Sequence, residues 1–203
     1  MIFGIIRWAI GIILFVILFT ALKNKKKKPI QEKNRIIISG VIAFLVITVL
    51  SFIPIENLFV HFKTPESAYH YFQAGTPIRT VYGENSALVI ADDRGTENLS
   101  VISKADKSDS WKISLGYDTE MAAQAFDGGC SAVVYHHKPT GDNYIFVYVQ
   151  DSQASINDDL GTTFVEIPDK DALIKEYVAY LSDFDSDYIV TVNGVNLTFY
   201  DMS

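Results

Sequence analysis

The chain has 203 residues, 17 Lys and Arg against 24 Asp and Glu, and a formal net charge of −7. Acidity of this order argues against nucleic acid as a ligand. Its only cysteine, Cys130, excludes an intrachain disulfide, and an exported domain without disulfides suits a bacterial envelope better than a eukaryotic extracellular space.

The charge is not evenly spread. Residues 1–54 carry 8 basic and 1 acidic side chains, a net of +7, so residues 55–203 carry 9 and 23, a net of −14. The basic part opens with an apolar run over residues 2–22, interrupted only by Arg7. A second, uncharged run of 18 residues spans 36–53 and is stopped by Pro54. At about 1.5 Å of helix rise per residue, each run crosses most of a hydrocarbon core about 30 Å thick. Between them, residues 23–35 hold Lys23, Lys25, Lys26, Lys27, Lys28, Lys33 and Arg35. The expectation is a two-helix transmembrane hairpin with a cytoplasmic basic loop, because short Lys/Arg-rich loops stay inside. The lipid bilayer is then the first partner, and both termini and the main domain lie outside the cytoplasm. A cleaved signal peptide would carry its positive charge before the apolar run, whereas here it follows. Arg7, beside Trp8, is expected to snorkel to the membrane interface.

Residues 55–203 are expected to form an extracytoplasmic acidic α+β domain, mostly antiparallel, with one or two short helices and an internal seam near 117–129. In the stretch 55–63, Leu58, Phe59, Val60 and Phe62 are expected to pack on the domain or the bilayer. Thr64-Pro65-Glu66 has the order of a helix start, with Thr as N-cap and Pro in the first turn. Ala68, Tyr69 and Phe72 follow on one helical face, and Gly75 closes the segment. The period then changes to two. Short runs at 78–82, 87–91, 99–104 and 111–115 are separated by Gly83-Glu84-Asn85, Asp92-Asp93-Arg94-Gly95 and Lys107-Ser108-Asp109, which reads as antiparallel strands. Asp118 as a cap and Gly128-Gly129 as a stop suggest a short helix over 119–126.

Runs at 131–137 and 143–150, joined by residues 138–142, read as a hairpin with a solvent-exposed tip that includes Asp142. Residues 153–161 are polar and expected to be a mobile loop, 162–167 a strand, and 169–181 a strand rather than a helix. The last hairpin centres on Asn193-Gly194, the preferred pair for a type I′ turn. That turn places Val192 opposite Val195, Val190 opposite Leu197 and Tyr188 opposite Phe199, all on one apolar face, with Thr198 on the other.

No residue set carries a recognisable chemistry. Cys130 with His136 and His137 would be a nucleophile and its bases, but six or seven strand residues separate them by about 20 Å. His136 and His137 point to opposite faces of a strand, which spoils a metal pair, and His61 and His70 lack ligand spacing. Asp183, Asp185 and Asp187 alternate like a calcium loop, yet Tyr188 stands where that loop needs Gly and Gly194 where it needs Glu. Asp158-Asp159 and Asp92-Asp93 read as turn carboxylates. Tyr69, Tyr71 and Phe72 read as core, and Tyr135, Tyr144, Phe146 and Tyr148 as either a binding face or a sheet packed on both sides. No catalytic, cofactor-binding or metal-binding residue is assigned, and no cofactor is expected. The segment Phe62-x-Thr64-Pro65-Glu66-Ser67-Ala68-Tyr69 resembles one found in small membrane-anchored proteins of Gram-positive bacteria, and it implies no activity. The functional expectation is a non-catalytic binding or accessory module for an envelope or membrane protein. The alternatives are a surface hydrolase with a dispersed site, or a signalling partner acting through its spans.

Overall fold

The computed structural model describes residues 5–23, 31–105, 109–114, 116–151, 153–168, 174–185 and 187–201. It is an α+β structure divided into two compact units, residues 1–60 and 61–203. The lysines at 25–28, the turn residues 107–108, Leu115, Ser186 and the start of the 169–181 segment lie outside the described residues.

The first unit is a pair of helices, α1 (Ile5–Lys23) and α2 (Glu32–Leu50), each 19 residues long and apolar enough to cross a membrane. The buried residues of the pair are Arg7 and Gly11 on α1 and Ser39 and Ala43 on α2. Small side chains are what let two helix backbones approach. A Cβ added at Gly11 would stand 2.3 Å from Ile47 Cδ1. The remaining faces are apolar and exposed, with Ile12, Ile13, Val16, Ile17, Phe44, Leu45 and Val49 among them. Element bounds differ from the hydropathy limits of 2–22 and 36–53. Helix α2 starts earlier, taking in Glu32, Lys33 and Arg35, and ends at Leu50, where the Ser51 N–H closes on the carbonyls of Ile47 and Thr48. Hydrogen bonding sets these ends, and it is indifferent to charge. After a 3-10 turn (Ile55–Leu58), Leu58 and Phe59 are exposed rather than packed on the protein, while Ile55 is buried.

In the second unit α3 (Pro65–Phe72) has the expected cap. Thr64 Oγ1 accepts from the Ser67 N–H and Ser67 Oγ accepts from the Thr64 N–H, each at 3.2 Å. Thirteen strands follow among the described residues. β1 (Thr76–Tyr82), β2 (Ser86–Asp93), β3 (Thr96–Lys104) and β4 (Trp111–Lys112) make a four-stranded antiparallel sheet in that order. β5 (Thr119–Asp127), β6 (Cys130–His137), β7 (Asp142–Val149), β9 (Val165–Ile167), β10 (Lys175–Leu181) and β13 (Tyr200–Asp201) make a six-stranded sheet ordered β13-β5-β6-β7-β10-β9. β8 (Ile156–Asp158), β11 (Val190–Val192) and β12 (Val195–Leu197) form a third, with β11 central.

The six-stranded sheet is covered on both faces. One face, with Ala125, Ala132, Val134, Ile145, Val147 and Leu181, packs on Val190, Val192 and Leu197 of the three-stranded sheet and on Tyr188 just before it. The other, with Tyr144, Phe146, Ile167 and Val178, packs on Leu88, Ile90 and Val101 of the four-stranded sheet. Helix α3, through fully buried Ala68 and Tyr69, packs on β2 and β3. Asp142 joins two layers from β7. Its Oδ2 accepts from the Asn85 N–H at 3.0 Å and from Ser86 Oγ at 2.6 Å, so this residue is buried and is no exposed loop tip.

Two expected elements are corrected. Residues 119–126 are not a helix but most of β5, because pairing with β6 outweighs the local helix preference of Met, Ala and Gln. Gly128 and Gly129, at φ 50° and 88°, are the two residues of a tight β5–β6 turn closed by Asp127 opposite Cys130. The polar stretch 153–161 is not simply a loop, since β8 within it pairs with β11. The Ser155 N–H donates to Asn193 Oδ1, and the Asn193 N–H to the Ser155 carbonyl, both at 2.9 Å. The expected register of the last hairpin is observed, Val190 opposite Leu197 and Val192 opposite Val195. Tyr188 and Phe199 meet through their rings, 5.6 Å apart, beyond the end of that ladder. Val195 is the exception to the apolar face, being 45% exposed at the sheet edge.

Candidate functional site

Strand β3 has one edge bonded to β2 and the other, among the described residues, paired over two residues only. β4 covers it only through Ser103 opposite Lys112 and Lys104 opposite Trp111. The Lys104 N–H donates towards β2, to the Asn85 carbonyl at 2.8 Å, whereas the Ser103 N–H donates the other way, to Ser114 Oγ at 3.2 Å. Strand alternation then turns the backbone groups of Glu97, Leu99 and Val101 outward with Ser103. Among the described residues no strand pairs with β3 at these three positions on that side.

Beside this edge lies a cavity of about 210 Å³. Its walls are Phe72 from α3, Leu88, Leu99 and Val101 from the four-stranded sheet, and Tyr135 and Phe146 from the six-stranded one. Gln73, Ser100, Ser114 and Thr119 add polar groups. Ser100 is 8% exposed, and its Oγ has no hydrogen-bond partner among the described residues.

Behind this wall, His137 is fully buried under hydroxyls. Its Nε2 is 2.9 Å from Ser103 Oγ and 3.5 Å from Ser114 Oγ, and its Nδ1 is 3.2 Å from Thr119 Oγ1. Burial holds the ring below the ordinary histidine value, outweighing the opposing pull of Asp118 and Asp142. A Ser–His contact of this length suits a nucleophile and base. Among the described residues the ring's side-chain partners are all hydroxyls, however, so no carboxylate hydrogen-bonds to it to orient it or stabilise its charge.

That environment predicts a pH dependence. The folded ring takes a proton at lower pH than the unfolded one, so the unfolded state binds more protons below about pH 6.5. Stability is therefore full above that pH and is lost as pH falls towards the folded value. Urea unfolding of the chain between about pH 7 and 5 should show this slope, and His137→Gln should flatten it.

The other residues singled out from the sequence do not converge. Cys130 packs on the face of β6 opposite to His137, at the far end of the strand. Burial and nearby Asp127 and Asp151 push its thiol up, away from the nucleophilic thiolate. His136 Nδ1 pairs with Asn143 Oδ1 at 2.8 Å. His61 and His70 are exposed. Asp92 Oδ1 accepts from the Gly95 N–H at 2.7 Å, Asp158 Oδ1 from the Thr162 N–H at 2.7 Å and Asp185 Oδ1 from the Asp187 N–H at 2.9 Å, so these carboxylates close turns. No group of three or more His, Cys, Asp or Glu is placed to hold a metal among the described residues. Tyr144 and Phe146 are core, while Tyr135 and Tyr148 are half-buried beside them, which removes the exposed aromatic face. What sequence reasoning missed is the β3 edge and its cavity. No local signal marks them, since the 38% exposure of Leu99 arises only in the assembled sheet.

No protein family, curated protein or solved structure matches this chain.

Proposed function

We propose that the protein is a membrane-anchored module that holds its β domain outside the cytoplasm and binds an envelope or membrane partner there without catalysing a reaction. The observation that carries the anchoring is the first unit. Its two 19-residue helices bury only Arg7, Gly11, Ser39 and Ala43 and leave their other faces apolar. Such a surface is unfavourable in water and matched to lipid. Orientation rests on the lysines of 23–35, which favour a cytoplasmic loop. Exposed Leu58 and Phe59 suit the interfacial region just beyond α2. Binding rather than catalysis is supported by the cavity beside β3, which is mainly apolar, carries one unpartnered hydroxyl, and has no charged group in its wall. The hydrolase alternative rests on the Ser103–His137 contact alone.

In a Cys130→Ala background, Lys26→Cys should be shielded from an impermeant thiol reagent in intact cells, and Pro139→Cys should label. Reversed labelling would put the domain on the other side of the membrane. Photocrosslinking in the native membrane from Tyr117, which is 60% exposed, should capture a defined envelope or membrane protein. Hydrolysis of a generic ester that disappears in Ser103→Ala would favour the enzyme instead.

A further inference from the structure

The four-stranded sheet ends, at residues 97–101 of β3, in backbone donors and acceptors that nothing described pairs with. An unpaired strand edge is a template for another strand, and proteins usually blunt it with lysine, proline or a bulge. Here it is flanked by an acid, Glu97, followed by Leu99 and Val101 on the same side. The adjoining cavity, about 210 Å³, is smaller than the roughly 300–1,000 Å³ of small-molecule sites. It is the size of one apolar side chain, and Leu99 and Val101 of that edge are part of its wall.

We propose that the free edge of β3 binds an extended segment of a partner protein as an extra strand, with one apolar side chain in the cavity between Phe72 and Tyr135 and a basic side chain at Glu97. Strand addition draws affinity from main-chain hydrogen bonds and specificity from a pocket for an alternate side chain, and both parts stand side by side here. A basic partner is argued from charge. Glu97 is exposed at the mouth of the edge, and residues 55–203 carry a net of −14. The inference rests on the binding-module reading and names the class of partner for it.

The test uses the full chain in nanodiscs and a synthetic amidated heptapeptide in which leucine and valine alternate with threonine and lysine. The peptide should bind saturably and shift the amide resonances of Leu99 and Val101. N-methylating the peptide amide that faces Val101 should weaken binding about tenfold or more, because it removes a strand hydrogen bond and leaves a buried carbonyl unpaired. Leu99→Pro should do the same, since it deletes an outward N–H while leaving the β2 ladder intact. Glu97→Lys should weaken the lysine peptide about fivefold and favour a glutamate counterpart. N-methylation is read on the unaltered protein, so misfolding of a variant does not obscure the result. No binding, or binding indifferent to N-methylation, would overturn strand addition. The binding-module reading falls separately, if crosslinking from Tyr117 captures no defined partner.

Discussion

Replacing Glu56 with alanine is expected to cost the helix pair about 3–5 kcal/mol, the loss typical when one partner of a buried ion pair is removed. Arg7, expected at the membrane interface, is held by a buried ion pair and not by water. It is 4% exposed, donating to Glu56 Oε2 at 3.0 Å and to the Ile53 carbonyl at 2.9 Å. Without the carboxylate, a buried guanidinium is left with its ionic partner removed. The helices must then part to hydrate it. Amide exchange of α1 and α2 in micelles should accelerate accordingly, with the protection lost around Arg7 and Gly11. The double replacement Arg7→Met with Glu56→Met should recover most of the loss, because a buried pair barely outperforms apolar side chains of similar volume. An additive double mutant would show that the pair contributes nothing as a pair.

Leu197→Ala should destabilise the β domain by about 2–5 kcal/mol. Leu197 is 1% exposed and belongs to the cluster of Tyr188, Val190 and Val192 between the three- and six-stranded sheets. Thr198 is exposed, and its alanine variant should stay within about 0.5 kcal/mol. Val195, although in the same ladder, should also tolerate alanine. Gly194, at φ 81°, has open space around a Cβ, so Gly194→Val is opposed by backbone conformation alone, about 1–3 kcal/mol. Asn193→Gly keeps the turn but deletes the acceptor for the Ser155 N–H and the donor to Asp151 Oδ2. It should therefore cost about 0.5–1.5 kcal/mol and not be neutral, as the turn by itself suggests. Urea unfolding of residues 61–203 gives all five values. Equal costs at Leu197 and Thr198 would contradict the packing described.

The features that the sequence determined by itself are those decided within a few residues. Two apolar runs around a basic loop give two helices of membrane-crossing length because hydropathy and helix rise are local quantities. Thr64-Pro65 starts α3 because the cap bonds reach only to Ser67. Asn193-Gly194 sets its hairpin register because both residues accept positive φ, at 51° and 81°. Tertiary structure decided whatever depended on a distant partner. Residues 119–126 have a helical preference, and only the β6 ladder makes them a strand. β8 exists because β11, more than thirty residues later, pairs with it. Arg7 finds Glu56 across 49 positions. The candidate site belongs to this second kind. The bare edge of β3 is created by β4 stopping after two residues, and its cavity by three elements from different parts of the chain meeting there. Local sequence encodes which groups a strand carries, but which of its edges stays unpaired is settled only when the whole sheet has assembled.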